Sequence, residues 1–446
     1  RKTKMALSNS LSGLIAAGKA LDVIGNNIAN SQTIGFKSSI ARFTNVSAAG
    51  KTGGAADSSA SSAGVSADNV FQNFEQGRFE ITNNPLDMAI NGQGFFRLQD
   101  PLTGRISYTR DGQFRLSFDE NSPPRLVTRS GLALTGNLPD FATDPFGIID
   151  TVPTPVEIVI DPYFPPRVTS EVNVSINLDP RVQPAAVPFS PLDPTTYNGS
   201  TLAKVFDAAG GAHDLRLYFT TPGAGNSWSL YSTLDYTASN PTAVYGPSIL
   251  NFDTMGAISS GMPLAAQSYT TAAGDTISIA LDFTGTTQLG TPFSLNALSQ
   301  DGYAEGTVQD GYGFSVRADG NITARYSNGQ IRNVAQVVLA NFANPNALIS
   351  TGDNQWVAND DPAKGTGTIS LGFPNFATEK IAGFKGNSDP AEGMGAIQGY
   401  AREQSNVDLG TELVALIEQQ RNYQASAQTF KILDQVLQNL ANMRSN

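Results

Sequence analysis

Apolar residues recur with a helical period at the two ends of the chain and with an alternating period between them. Leu7, Leu14, Leu21 and Ile28 fall seven apart, with Leu11 four after the first and Ile24 three after Leu21. This spacing lays a stripe with nearly a 3.5-residue repeat along one helix face. From about residue 403 to 443, Leu413, Leu416, Ile417, Tyr423, Ala427, Phe430, Leu433, Leu437 and Leu440 keep similar spacing. They predict a second helix about 60 Å long at a rise of about 1.5 Å per residue. The breakers allow both helices, since the first proline is Pro85, the last Pro390 and the final glycine Gly410.

From about residue 70 the pattern changes to short alternating or β-branched runs: Gly94 to Leu98, Gln113 to Phe118, Val156 to Ile160, Val172 to Ile176, Leu215 to Phe219, Thr276 to Phe283 and Val334 to Leu339. The dipeptides Asn91-Gly92, Asp111-Gly112, Asp319-Gly320 and Asn328-Gly329 are hairpin signals. The expected fold is multidomain and mainly β with long α-helical termini. Residues 1–46 and 397–446 form a terminal helical coiled-coil domain, and 47–69 a Gly/Ala/Ser-rich linker. Residues 70–150 and 301–396 combine into a discontinuous β domain, so the chain runs out and back. Residues 151–300, rich in Thr, Ser, Pro and Tyr, form an inserted outer β domain.

A single amphipathic stripe is usually the buried face of a helix lying on its own core. Here the stripes sit at both extremes, and Ser47 to Asp68 holds 17 Ala, Gly or Ser among 22 residues. Such a linker tethers the first helix poorly to any core of its own chain. Terminal pairing, with each other and with neighbouring copies, is the better expectation.

Composition narrows the chemistry. The 446 residues include no cysteine and a single histidine, His213. A thiolate nucleophile, a disulfide framework and a His-rich or Cys-ligated metal site are thereby excluded, and the chain is expected not to be an enzyme and to need no cofactor. The 28 Lys and Arg against 39 Asp and Glu give a net charge of -11, which argues against nucleic acid. Residues 1–45 carry +5 and residues 402–446 carry -1, leaving -15 on the middle. No apolar run approaches the ~18 residues that span a bilayer, so no membrane insertion is expected. The basic start Arg1-Lys2-Thr3-Lys4 lacks a following signal-peptide apolar core, because Ser8, Asn9, Ser10, Ser12 and Lys19 interrupt it. Export, if it occurs, is expected by a route without a cleaved hydrophobic signal.

Several stretches match a catalytic or nucleotide-binding motif only in part. Gly13 to Lys19 matches most of a phosphate-binding loop but has Ala20 where Ser or Thr should hold magnesium, and it lies in a helical stripe. Gly92-Gln-Gly94 lacks the third glycine of a dinucleotide fingerprint. His213 begins an alternating strand and reads as a satisfied strand residue, and the pairs Asp119-Glu120 and Asp360-Asp361 as surface charge.

At Asn26-Asn27-Ile28-Ala29-Asn30, followed by Thr33-Ile34-Gly35-Phe36-Lys37, the chain resembles the flagellar axial proteins of the rod and hook. The resemblance continues through Leu86 to Phe96, Tyr108 to Phe114, Ser405-Asn406-Val407-Asp408-Leu409 and Gln420-Arg421-Asn422-Tyr423-Gln424-Ala425. Leu202 to Phe219, Trp228, Leu250 to Asp253 and Gln309 to Gly313 are similar to the inserted domain and neighbouring segments of the hook branch. Arg402 departs from the Leu usual in the family.

The resemblance implies an extracellular structural subunit of the flagellar basal body and hook. Such a subunit leaves through the type III export apparatus and self-assembles into a curved helical tube that acts as a universal joint. Its implied partners are further copies of itself and the rod, hook cap and hook–filament junction proteins. Asn26, Asn27 and Asn30 are expected to cap or end the first helix, with Gly35 supplying a positive-φ turn into Phe36. A distal rod protein of the same family, or an exported β-rich adhesin, would share the composition.

Overall fold

Both ends of the chain are helical: α1 spans Lys2–Ala29 and α2 spans Leu409–Ser445. The computed structural model describes every residue except 1, 48–61, 120–121, 142–145, 148, 150–154, 186–187, 224–225, 240, 260–261, 309–312, 360–364, 368, 373–393 and 446. Among the described residues, no helix is long and apolar enough to cross a membrane. Two units emerge: residues 1–161, 310–324 and 331–446 form one, and residues 162–309 and 325–330 the other. Thus both helices and most of the flanking β segments share one unit; residues 155–161 lie with them rather than with the insert, whereas residues 301–308 and 325–330, expected with the flanking β domain, lie with the insert.

In the first unit, two segments expected to be helix or linker are strand. Ser39–Ser47 pairs antiparallel with Ser62–Gln72, from Ser39 opposite Gln72 to Ser47 opposite Ser62, with register shifts between Arg42 and Thr44 and between Asn45 and Ser47. The helical domain expected over 1–46 therefore stops at Ala29, and residues 62–69 of the expected linker are strand; residues 48–61 lie outside the described residues. The cause is cross-strand pairing, which small residues tolerate although their composition does not announce it. At the other end, α2 starts at Leu409 and not near 403, because residues 396–403 return to the β region. Ala396–Gly399 pairs with Met88–Asn91, and Ala401–Glu403 with Phe79–Ile81. Ala401, Glu403 and Ser405 are buried on alternate positions, the period of a strand. Arg402, the departure from the family, points the other way and forks onto Glu80 at 3.0 and 3.1 Å.

A branched sheet follows, whose main path runs in the order Phe314–Val316, Asn321–Arg325, Ile331–Val337, Ala133–Asn137, Phe95–Gln99, Ile106–Thr109, Gln355–Val357, Ile349–Gly352. Its aromatic core joins Phe74, Phe95, Tyr108, Phe342 and Trp356, with ring centroids 4.7 to 5.8 Å apart in edge-to-face pairs. Trp356 Nε1 donates to Gln72 Oε1 at 2.7 Å and so fastens the hairpin to this core. Asp319-Gly320 and Asn328-Gly329 turn the chain, with glycine φ of 80° and 83°. Asp111-Gly112 does not make the expected hairpin. A Cβ on Gly112 would collide with Met88 O, so glycine is required there for close backbone approach. Asn91-Gly92 likewise ends a strand that pairs with Ala396–Gly399 and not with its sequence neighbour.

The second unit holds two four-stranded sheets. One runs Gln267–Thr270, Thr276–Asp282, Glu171–Asn177, Ser294–Gln300, and the other Gly199–Phe206, Ala212–Thr220, Ser227–Leu234, Val244–Asn251. Every second side chain faces one core: Val172, Val174 and Ile176; Leu215, Leu217 and Phe219; Ile277, Ile279 and Leu281, closed by Trp228 and Phe283. This two-residue alternation is the one visible in the sequence.

Candidate functional site: the terminal helices and their junction

α1 and α2 pack side by side. Gly13 faces Ser426, Gly18 faces Tyr423, and Asn27 bonds Glu412, so the partner number falls as the α1 number rises and the helices run antiparallel. Among the described side chains of α1, Ala16, Ala17, Ala20 and Asn27 are buried. Small residues at these positions let the backbones approach. Leu14, Leu21, Ile24 and Ile28 of the heptad stripe are only half-buried, as are Leu416 and Phe430 on α2. Leu11, Leu413 and Tyr423 are exposed. Leu7, Leu437 and Leu440 lie on the helices, but their side chains fall outside the described residues.

Both helices leave apolar side chains uncovered in a single copy. Ile15 is 62% exposed, Val414 67% and Ile417 51%, and Leu11, Leu409, Leu413, Ile432 and Val436 join them. On α2 the sets 409, 413, 417 and 432, 436 step by four, which keeps each set on one side of the helix. Ile15 and Val414 fall outside the heptad positions; the i, i+4 steps of Leu11 with Ile15 could have disclosed the first.

The motif residues build the base of this pair. Asn30 Nδ2 donates to Asn26 O and to Asn26 Oδ1, both at 3.0 Å, and Thr33 Oγ1 donates to Asn30 Oδ1 at 3.1 Å. The last turn of α1 is thus satisfied locally, beyond Ala29, its exposed final residue. Asn27 does something else. Its Nδ2 donates to Ser39 O (2.8 Å) and Glu412 Oε1 (2.9 Å), and its Oδ1 accepts from Ser39 N at 2.9 Å. One buried amide therefore binds α1 to α2 and to the following strand, with both its donors and its acceptor used.

Gly35 adopts φ +68°, and a Cβ there would meet Asp111 N at 2.6 Å. The turn carries Phe36, whose carbonyl accepts from Asn406 N, and Lys37 into the interior. Lys37 and Glu403 are fully buried, and their side chains meet at 2.7 Å. Arg110, 4% exposed, reaches the second oxygen of the same carboxylate at 3.3 Å. Backbone groups add further partners, although the buried Nε of Arg110 has none among the described residues. Lys37 Nζ donates to Glu75 O (2.7 Å), Arg110 Nη2 to Gly92 O (2.8 Å), and Gly77 N donates to Glu403 Oε1 (2.8 Å). Burial lowers the pKa of Lys37 and of Arg110, and the Glu403 carboxylate opposes that in both.

Asn406 extends the junction, donating to Asn73 O (2.8 Å) and accepting from Ser38 N (2.7 Å). After Val407, Asp408 caps α2. Its Oδ1 accepts from Thr411 N (3.4 Å) and Gly410 N (2.9 Å), and these backbone donors hold its carboxyl below the usual carboxylate range. Gln420 and Arg421 are exposed on α2. The clamp that sequence reasoning missed is the Lys37–Glu403–Arg110 cluster. Its members lie in three of the quoted motifs or beside them, but 366 and 293 positions separate Glu403 from its partners.

Known proteins carry the same arrangement of segments. Four family models match in chain order. They are "Flagella basal body rod protein" over residues 7–37 and "Flagellar hook protein FlgE/F/G D1 domain" over 89–183. "Flagellar basal body protein FlaE D2 domain" follows over 177–303, and "Flagellar basal body rod FlgEFG protein C-terminal" over 397–443. The flagellar hook protein FlgE of Salmonella typhimurium is 37% identical over 446 residues, covering 99% of this chain and 100% of that protein. The chain belongs to the flagellar hook protein family. Its FlgE relative in Escherichia coli K12 is 38% identical over 458 residues, covering 99% of this chain and all of the relative. A crystal structure of Helicobacter pylori flagellar hook protein FlgE2 overlays with a TM-score of 0.48 at 15% identity, covering 73% of this chain and 99% of that one.

Proposed function

We infer that the chain is the structural subunit of the flagellar hook. It self-assembles through its terminal helices into a curved helical tube that works as a universal joint between rod and filament. The observation that carries this reading is the uncovered apolar face of the helix pair in a member of the hook protein family. Ile15, Val414 and Ile417 are each more than half exposed in one copy. Covering such a side chain yields roughly 1.5 to 3 kcal/mol, and a repeated heterologous contact that does not close extends into a filament. Coiled-coil packing of copies of α1 and α2 is the mode that the heptad spacing supports.

Copies of the same chain are the main partner on this reading, and the rod, hook cap and hook–filament junction proteins meet the ends of the tube. Delivery is by the type III export apparatus, to an extracellular position on the flagellum. The absence of cysteine suits threading of an unfolded chain, since no disulfide can obstruct it. The reading assigns no catalytic role and no cofactor. Electron microscopy of the concentrated purified protein tests it. Curved or straight tubes are expected, and persistent monomers that bind polysaccharide or cell surfaces would favour an adhesin.

A further inference from the structure

His213 is the only histidine in the chain, and assembly through the helices makes no use of it. It stands near the start of strand Ala212–Thr220, largely covered, between two carboxylates. Its Nδ1 lies 2.6 Å from Asp235 Oδ2 and its Nε2 3.0 Å from Asp207 Oδ2. Each carboxylate also holds backbone. Asp207 Oδ1 accepts from Ala209 N (2.9 Å) and Gly211 N (2.7 Å), and Asp235 Oδ1 accepts from Asp214 N (2.7 Å).

An ionised carboxylate only accepts hydrogen bonds, and a neutral imidazole has one N–H to give. With a neutral ring, one of the two contacts would set lone pair against lone pair. The doubly protonated ring supplies a donor to each side, as charge-assisted bonds. The two carboxylates sit on different connections of one sheet. Asp207 closes the turn between strands Gly199–Phe206 and Ala212–Thr220, and Asp235, at φ +50°, ends strand Ser227–Leu234.

We propose that His213 is held as an imidazolium that latches the 207–211 turn to the end of strand 227–234, and that the latch releases as the ring loses its proton in alkaline medium.

The other charged groups nearby leave the latch its own. Lys204, on the paired strand, bonds Asp214 at 2.7 Å. Both lie one residue off Val205 and His213 and so on the opposite face of the sheet, where Arg216 is also exposed. From the neighbouring segment, Glu305 brings its backbone nitrogen against Gly210. Burial alone would lower the pKa of the ring, but Asp207 and Asp235 outweigh it and raise it above the ordinary value. A folded pKa above the unfolded one gives stability that is complete below about pH 6.5 and disappears as pH rises through the folded value.

Two measurements on the full-length protein read the proposal. The first follows the lone imidazole signal of carbon-13-labelled histidine by NMR as pH is raised. The expected midpoint lies above about 6.5 and moves down in Asp207→Asn. The second follows unfolding with a fluorotryptophan label, which separates Trp228 of this unit from Trp356 of the other. The denaturation midpoint at Trp228 is expected to fall between about pH 6 and about pH 9 in the wild type and to stay level in His213→Gln. A ring midpoint at or below about 6.5 overturns the proposal, as does an equal pH slope in His213→Gln. The ring titration decides the matter even if that variant does not fold.

Discussion

Glu403→Gln in the full-length chain is expected to lower the stability of the helix-bearing unit by about 3 to 5 kcal/mol, the usual cost of stripping the partner from a buried charge. The substitution keeps the shape of the side chain and removes only its charge. Lys37 and Arg110 then share a site with no counterion, 0% and 4% exposed, where Glu403 now meets them at 2.7 and 3.3 Å. The loss is read from guanidinium denaturation at a fluorotryptophan label on Trp356, whose ring nitrogen bonds the adjoining hairpin. Two controls separate charge from packing. Arg402→Ala breaks the more exposed pair with Glu80 and is expected to change the midpoint little. Replacing Lys37, Arg110 and Glu403 together with apolar residues of similar volume should recover much of the loss, because no unpaired charge is left behind. A full-sized loss in the triple variant would assign the cluster to packing instead.

Val414→Asp combined with Ile417→Asp is expected to abolish tube formation while leaving the thermal unfolding of the monomer unchanged. Both side chains are more than half exposed in one copy, at 67% and 51%, so the single molecule has little to lose from a carboxylate there. In a tube every subunit repeats the same contact. Each position would forfeit roughly 1.5 to 3 kcal/mol of apolar burial and would add an unpaired carboxylate to a dry interface. Sedimentation of concentrated protein checks the result: the double variant should remain in the supernatant under conditions that pellet the wild type. Normal tube yield would show that this face of α2 is not where copies meet.

How far the sequence discloses these features depends on the distance over which each is built. The helices are legible because their signal is local: a repeat from Leu7 to Ile28 and from Leu413 to Leu440, free of proline. The alternation of Val172, Val174 and Ile176 is local too. The start of α2 at Leu409 was within reach, since Asp408 ahead of Gly410 and Thr411 is a capping residue type. The apolar spacing carried the expectation past it, to 403. The hairpin of Ser39–Ser47 with Ser62–Gln72 has no such signature, because Ile40, Phe43 and Val46 fall three apart instead of alternating and the run from residue 47 to 68 is mostly Ala, Gly and Ser. Lys37, Arg110 and Glu403 look like ordinary surface charges until the fold brings together segments hundreds of residues apart. Asn27 fits a helix-ending motif in sequence, yet its neighbours Asn26 and Asn30 do that work and it bridges to Ser39 and Glu412. Long-range polar clamps of this kind are set by topology, and residue type alone does not announce them.

In the assembled tube the apolar face of the terminal helices is expected to be buried between copies. The natural absence of cysteine allows a direct reading of it. With Ile417→Cys as the sole thiol, maleimide labelling is expected to be fast in the monomer and strongly slowed in assembled tubes. Met255→Cys, on the other unit and 82% exposed, sets the unprotected rate in the monomer. Equal labelling at position 417 in monomer and tube, with tubes verified by electron microscopy, would show that copies do not meet through this face.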